Sequence, residues 1–196
     1  AEQEYYNMST DIFVVDTQWL IERLEEEAQK EHPEKLRYVL RDLAAESGAF
    51  AYEYTGYLAN IHSVETYYQA NIDMLDLHKF YSLFSPNQKI HTKVKNEEPT
   101  YYAPGCEVNT SQFASGSIVE GKVVRSVVSR NVQIHKDSLV KESIVFPRVV
   151  IGEGAQVEYA IIDKGAEVAD GVVIRGTAEN PVVIKKGEKV TEDILS

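Results

Sequence analysis

Two hydrophobic rhythms divide the chain. In its first part apolar residues recur at helical spacing: Leu20, Ile21, Leu24 and Ala28, then Leu36, Val39, Leu40 and Leu43, then Val64, Tyr67, Tyr68, Ile72 and Leu75. That spacing predicts three helices, each with one stripe against a core. Asp16 or Thr17 is placed to cap the first, Pro33 to open the second, Ser47-Gly48 to close it and Ser63 to cap the third. Between them IFVV (Ile12 to Val15) and AFAYEYTGYLAN (Ala49 to Asn60) predict short strands, with Gly56 at a turn.

The stretch SPNQKIHTKVKNEEPTYYAPG, Ser85 to Gly105, has no period and is punctuated by proline, so it reads as a connector. Beyond it the rhythm changes. Aliphatic residues stand at Ile118, Val123, Val128, Ile134, Leu139, Val145, Ile151, Val157, Ile162, Val168 and Ile174, five or six positions apart, and three steps sum to 16 or 17. Neither a helix nor a flat strand puts an inward residue at that interval. A three-sided coil does, each short strand giving one inward aliphatic before a corner, so the segment predicts a left-handed parallel β-helix of hexapeptide repeats. The fold class expected is α+β: a partial α/β segment over residues 1–85, a linker over 86–105, and the β-helix over 106–196.

Charge sharpens the division. The chain carries a formal charge of −11. Sixteen acids against six bases lie in residues 1–85, while 86–196 holds fifteen against fourteen. An acidic first half argues against nucleic acid as partner, because phosphate binding needs a basic face. No apolar run approaches the ~20 residues that cross a bilayer, so no membrane role is expected. A lone cysteine, Cys106, has no partner for a disulfide, which points to a cytoplasmic protein and to a small apolar side chain in that position.

The segment Tyr57-Leu-Ala-Asn60-Ile61-His62-Ser63-Val64, followed by Tyr67-Tyr-Gln-Ala70-Asn71 on a helix and then a hexapeptide coil, resembles the ADP-glucose pyrophosphorylase (glucose-1-phosphate adenylyltransferase) family. Within that family it is nearer to the non-catalytic type of glycogen-biosynthesis subunit. The resemblance implies that only the last part of a nucleotidyltransferase domain is present, entered midway. It also implies a degenerate site. Catalytic members typically read Y-W-x-D-V-G-T-I in the segment matching Tyr57 to Val64, and the aspartate helps hold Mg²⁺ at the phosphates; here the position is Asn60, a neutral amide. Gly-Thr has become His62-Ser63. In MSTDIFVV the resemblance to the sugar-phosphate segment S-M-G-I-Y-V-F keeps Ser9 and replaces glycine by Asp11, whose carboxylate would repel a phosphorylated sugar.

No catalytic residue and no metal ligand is therefore expected here, and Mg²⁺ is expected only in a catalytic partner. The function implied is a regulatory and assembly subunit of the pyrophosphorylase, joining a homologous catalytic subunit in a mixed tetramer. Two alternatives stay open: a fragment of an active sugar-phosphate nucleotidyltransferase, and a hexapeptide acyltransferase in which His135 would be the base. Residues sixteen apart are expected to stack along the coil, placing Arg125 above Lys141 and Arg148 above Lys164 as basic columns for a phosphorylated metabolite effector, with Glu120, Glu142 and Asp163 close by in sequence.

Overall fold

The structure, a computed structural model, describes residues 9, 10, 12–46, 48–85, 89–93 and 96–196. The chain divides into two compact units, 1–54 and 55–196. The division falls well before the connector, because the third helix packs with the coil that follows it.

The first unit is helical. Asp16 caps helix α1 (Thr17–Ala28), its carboxylate accepting the Trp19 N–H at 2.9 Å. Helix α2 (Leu36–Glu46) starts three residues beyond Pro33. The intervening turn is held instead by Glu27, whose carboxylate accepts the Glu34 N–H at 2.8 Å and pairs with Lys30 at 2.5 Å. After α2 the chain turns at Gly48, whose φ of 69° is left-handed, and the Ala49 N–H returns to the Ala44 carbonyl; Ser47 lies outside the described residues.

The strands expected at Ile12 to Val15 and at Ala49 to Asn60 are absent: no described residue before Tyr101 is in a strand. A strand exists only with a ladder partner, and neither segment has one. Val14 is 99% exposed and Tyr52 91%. The alternation is real, but no neighbouring strand among the described residues pairs with it.

The second unit opens with helix α3 (Val64–Ile72), a 3₁₀ turn (Asp73–Leu75) and helix α4 (Leu77–Leu83). From Tyr101 to Leu195 the chain winds into a three-sided parallel β-helix of seventeen short strands: β1 (Tyr101–Tyr102), β2 (Glu107–Asn109), β3 (Gln112–Phe113), β4 (Ile118–Val119), β5 (Lys122–Val124), β6 (Val127–Val128), β7 (Gln133–Ile134), β8 (Leu139–Lys141), β9 (Ile144–Val145), β10 (Val150–Ile151), β11 (Gln156–Glu158), β12 (Ala160–Ile162), β13 (Glu167–Val168), β14 (Val173–Arg175), β15 (Val182–Ile184), β16 (Lys189–Val190) and β17 (Ile194–Leu195). Every third strand joins one sheet: β1-β4-β7-β10-β13-β16, β2-β5-β8-β11-β14-β17 and β3-β6-β9-β12-β15. We call these the first, second and third faces.

The inward residues are Val119, Val123, Val128, Ile134, Val140, Val145, Ile151, Val157, Ile162, Val168 and Ile174, each 2% exposed or less. Two expected positions are therefore off by one: Val119 and Val140 point inward, while Ile118 and Leu139 face out. Each belongs to an adjacent apolar pair, within which alternation cannot choose. Coil length also departs from the expected 16 or 17. Ile118 registers with Gln133, Gln133 with Val150, Val150 with Glu167, and Glu167 with Lys189, so successive coils of the first face advance by 15, 17, 17 and 22 residues.

A serine ladder fastens the corner between the second and third faces. Thr110, Arg125 and Glu142 take left-handed φ of 44°, 45° and 47°, and each is followed by serine. Ser111 Oγ accepts the Ser126 N–H, Ser126 Oγ the Ser143 N–H and Ser143 Oγ the Ala160 N–H, all at 3.1 Å. Each hydroxyl donates in turn to the carbonyl two residues back, at 2.7 to 2.8 Å. Backbone groups that a turn would strand in a dry interior are thereby satisfied coil by coil. Among the described residues no helix is long and apolar enough to cross a membrane.

Candidate functional site

The segment Tyr57 to Ser63 runs into α3 and is pinned at both ends. At its start the Tyr57 N–H donates to Ser82 Oγ at 2.9 Å, and the Tyr57 hydroxyl donates to Asp73 Oδ2 at 3.1 Å. Asp73 also receives the Gln69 amide at 2.9 Å and Lys79 Nζ at 2.7 Å. Burial pushes the Asp73 carboxyl up, but these three donors outweigh it and leave the pKa lowered. Tyr57 responds oppositely: burial first, then the Asp73 carboxylate, push its pKa up to about 12.

At the other end Ser63 caps α3. Its Oγ accepts the Thr66 N–H at 3.1 Å and Thr66 Oγ1 accepts the Ser63 N–H at 3.0 Å, a reciprocal capping box. His62 is drawn into the same cap, its N–H reaching Thr66 Oγ1 at 3.1 Å while its Nδ1 lies 3.2 Å from the Asn60 carbonyl. Asn60, His62 and Ser63 are all exposed. A hard divalent cation prefers several anionic oxygens. Asn60 offers one neutral amide oxygen, and no group of three or more His, Cys, Asp or Glu side chains among the described residues could hold a metal ion. These residues do not fit Mg²⁺. Ser9 is exposed in the first unit, and Asp11 lies outside the described residues.

Helix α3 seats on the third face of the coil. Tyr68, 1% exposed, donates its hydroxyl to the Glu142 carbonyl at 2.7 Å, and Ile72 joins Ile144 and Ile161 in a small core with Tyr159 and Ala178 at its edge. Gln112 Nε2 donates to the Met74 carbonyl at 2.6 Å. Helical spacing marks Tyr68 as inward but cannot say that its hydroxyl ends on a coil carbonyl 74 residues away.

The expected basic columns do not form. Val124, not Arg125, registers with Lys141, because the coil is seventeen residues long there. Arg125 stacks on Glu142 and pairs with it at 2.7 Å; Lys141 pairs with Glu158 at 3.5 Å, and Glu158 with Arg175 at 2.9 Å. One residue of register turns like-charge stacking into an alternating ladder. Arg148 and Lys164 share a corner but sit one residue out of column, since the Gly165 N–H bonds to the Pro147 carbonyl and the Arg148 N–H to that of Arg130.

His135 lies on the first face with Nδ1 3.3 Å from Glu120 Oε2, beside a shallow depression lined by Gly152, Glu167, Asp170 and Lys189. Cys106 is half-buried and packs against the coil core, as a small apolar side chain would.

Residues 98–193 match the family described as GlmU-like, C-terminal hexapeptide. The chain is 35% identical over 136 residues to the glycogen biosynthesis protein GlgD of Bacillus subtilis (strain 168), covering 69% of this chain and 40% of that protein. It is 27% identical over 205 residues to the glucose-1-phosphate adenylyltransferase of Corynebacterium jeikeium (strain K411), covering 95% and 50%. To the enzyme of that name in Bacillus mycoides (strain KBAB4) it is 31% identical over 140 residues, covering 70% and 37%. The matched part is thus half or less of each relative's own length.

Proposed function

We propose, from the premise that this chain is a homologue of GlgD and of the glucose-1-phosphate adenylyltransferases over the matched stretches, that it serves as a non-catalytic regulatory and assembly part of such an enzyme in glycogen biosynthesis. One observation carries the reading. The residues from Asn60 to Ser63, where the resemblance expects a metal-binding aspartate and a small-residue opening, hold a neutral amide and a helix cap. A transferase joining a sugar phosphate to a nucleotide must offset charge at the phosphates, and an amide contributes no charge to that task. Catalysis, with its Mg²⁺, then belongs to a homologous subunit, beside which this one sits in a mixed tetramer answering to a phosphorylated metabolite.

The test is reconstitution. The protein is assayed for ADP-glucose formation from ATP and glucose 1-phosphate, alone and with a catalytic homologue. The reading expects no turnover alone, none after Asn60→Asp, and a changed turnover or effector response in the mixture. The 27% to 31% identity to named adenylyltransferases favours a second reading, part of an active enzyme. Turnover by the chain alone would establish that one, and an unchanged response in a saturated mixture would remove the regulatory role.

A further inference from the structure

Residues 96–100, Asn96-Glu97-Glu98-Pro99-Thr100, bring the connector onto the coil just before β1 and form neither helix nor strand. Asn96, Glu98 and Pro99 are exposed, while Glu97 and Thr100 are half-buried against the corner that leads from the third face to the first. The side chains turned toward the coil are thus the polar ones, and the one apolar residue is in water. None of the five joins the core of the coil or the small core under α3, so no apolar contact of either core fastens this stretch.

Two polar contacts hold it instead. Thr100 Oγ1 donates to the Ala114 carbonyl at 2.7 Å, a well-formed bond. Glu97 Oε2 lies 3.5 Å from Arg130 Nε, longer than the ~2.7–2.9 Å of a charge-assisted hydrogen bond. Among the described residues Glu97 Oε2 is the one buried side-chain polar atom without a hydrogen-bond partner. This oxygen has given up water and gained no bond for it, so the charge of the guanidinium alone compensates the loss. The Glu97 and Arg130 side chains keep 24% and 33% of their exposure, which screens that attraction in part. A desolvation cost and a screened attraction of the same order leave the docked stretch close to balance with a released one.

The coil beneath is closed without it. At the same corner the Asn131 N–H donates to the Ser115 carbonyl at 3.1 Å, and Ser117 Oγ accepts the Val132 N–H at 3.1 Å while donating to the Ser129 carbonyl at 3.0 Å. Helix α3 is seated separately, through Tyr68 and Gln112 on the third face. Release of Glu97 strands none of these backbone groups.

We propose that residues 96–100 form a releasable strap, latched by Glu97 on Arg130, which fixes the connector to the coil when closed and frees it when open. The coil and the seat of α3 are the same in both states. The strap lies wholly within the second unit, so its test is independent of the subunit reading.

A glutamyl endopeptidase measures the opening. To cut the Glu97–Glu98 bond it must take the Glu97 side chain into its own pocket, so it acts only on the open strap, and the rate of that cut follows the open fraction. Mass spectrometry identifies the product beginning at Glu98. Arg130→Gln leaves the carboxylate without its countercharge and is expected to speed the cut about tenfold or more. Arg130→Lys, which keeps the charge, stays within about threefold of wild type, and Arg125→Gln, which removes an ion pair elsewhere on the coil, matches it. The thermal midpoint of the coil is unchanged in Arg130→Gln. A cut no faster in Arg130→Gln than in wild type overturns the latch, and so does an equal rate in Arg130→Lys and Arg130→Gln. Faster cutting accompanied by a lowered midpoint and faster amide exchange in β4 and β7 overturns it as well, because the coil itself would then be opening.

Discussion

The helical first unit and the coil are built from sequence of similar apolar proportion, yet they use it differently. In the coil each apolar side chain has an equivalent one coil away, and twenty of them form one buried cluster. Among the described residues of the first unit Val39 and Glu27 are buried, while Ile12, Val14, Phe50 and Tyr52 stand in water. Repetition explains the difference. A coil residue finds its partner fifteen to twenty-two residues away whatever lies elsewhere, so the core propagates by nearest-neighbour stacking. The apolar runs of the first unit need a partner that no repeat supplies.

The largest effect that would break this comparison is core truncation. Ile151 is fully buried between the inward residues of neighbouring coils. Ile151→Ala is expected to cost about 3–4 kcal/mol, whereas Leu24→Ala on α1, 38% exposed, is expected to cost about 1 kcal/mol or less. Urea unfolding of the two variants measures it. Equal costs would mean that the first unit is packed as tightly as the coil.

Next in size is the serine ladder. Ser143 Oγ both accepts the Ala160 N–H and donates to the Lys141 carbonyl, in a fully buried corner. Ser143→Ala strands that N–H, and an unsatisfied buried donor costs about 1–3 kcal/mol. The same substitution at Ser111, half-buried at the open end of the ladder, is expected to cost less, since water can reach the place of the hydroxyl. Thermal midpoints of the two variants give the ratio. Parity would mean that the ladder is decoration and the corner is held by backbone alone.

How much of this was readable in the sequence follows the same line. Coil positions could be counted because burial repeats, and the caps could be placed at Asp16 or Thr17 and at Ser63 because capping is local; the structure selects Asp16. What failed was non-local. IFVV carries a strand's composition, but pairing is a property of two segments. The stacking of Arg125 depended on a single residue of coil length, and a repeat of sixteen put it over Lys141 where seventeen puts it over Glu142. Arg148 and Lys164 were likewise expected in one column and sit one residue apart on a shared corner.

A smaller effect sharpens the seat of α3, the place where helix and coil meet within one unit. Tyr68→Phe keeps the ring in its pocket and deletes the hydroxyl that donates to the Glu142 carbonyl. The loss is expected to be about 1 kcal/mol, the net worth of one hydrogen bond, with amide exchange in α3 accelerated more than exchange in β9. If both elements loosened equally, the helix would be an integral layer of the coil instead of a docked one.

The smallest effect is a pH dependence, and its sign follows from Tyr57. An unfolded tyrosine ionises near pH 10, while burial and the Asp73 carboxylate hold the folded Tyr57 phenol protonated until about 12. Below pH 10 both states keep the proton, and Tyr57 contributes no pH dependence. Between 10 and 12 the unfolded chain releases the proton and the folded one does not, so stability falls as pH rises. Tyr68 acts in the same direction, burial again being the main cause. Unfolding midpoints measured from pH 9 to 12 should therefore decline in the wild type and decline less steeply in Tyr57→Phe. At pH 8 the variant should be slightly less stable, having lost the hydrogen bond to Asp73. An identical alkaline slope in the two proteins would mean that Tyr57 ionises as freely as an exposed phenol. The hydroxyl bond to Asp73 would then add little, and the segment leading to Asn60 would be held by the Tyr57 N–H to Ser82 bond at its start and the Ser63 cap at its end.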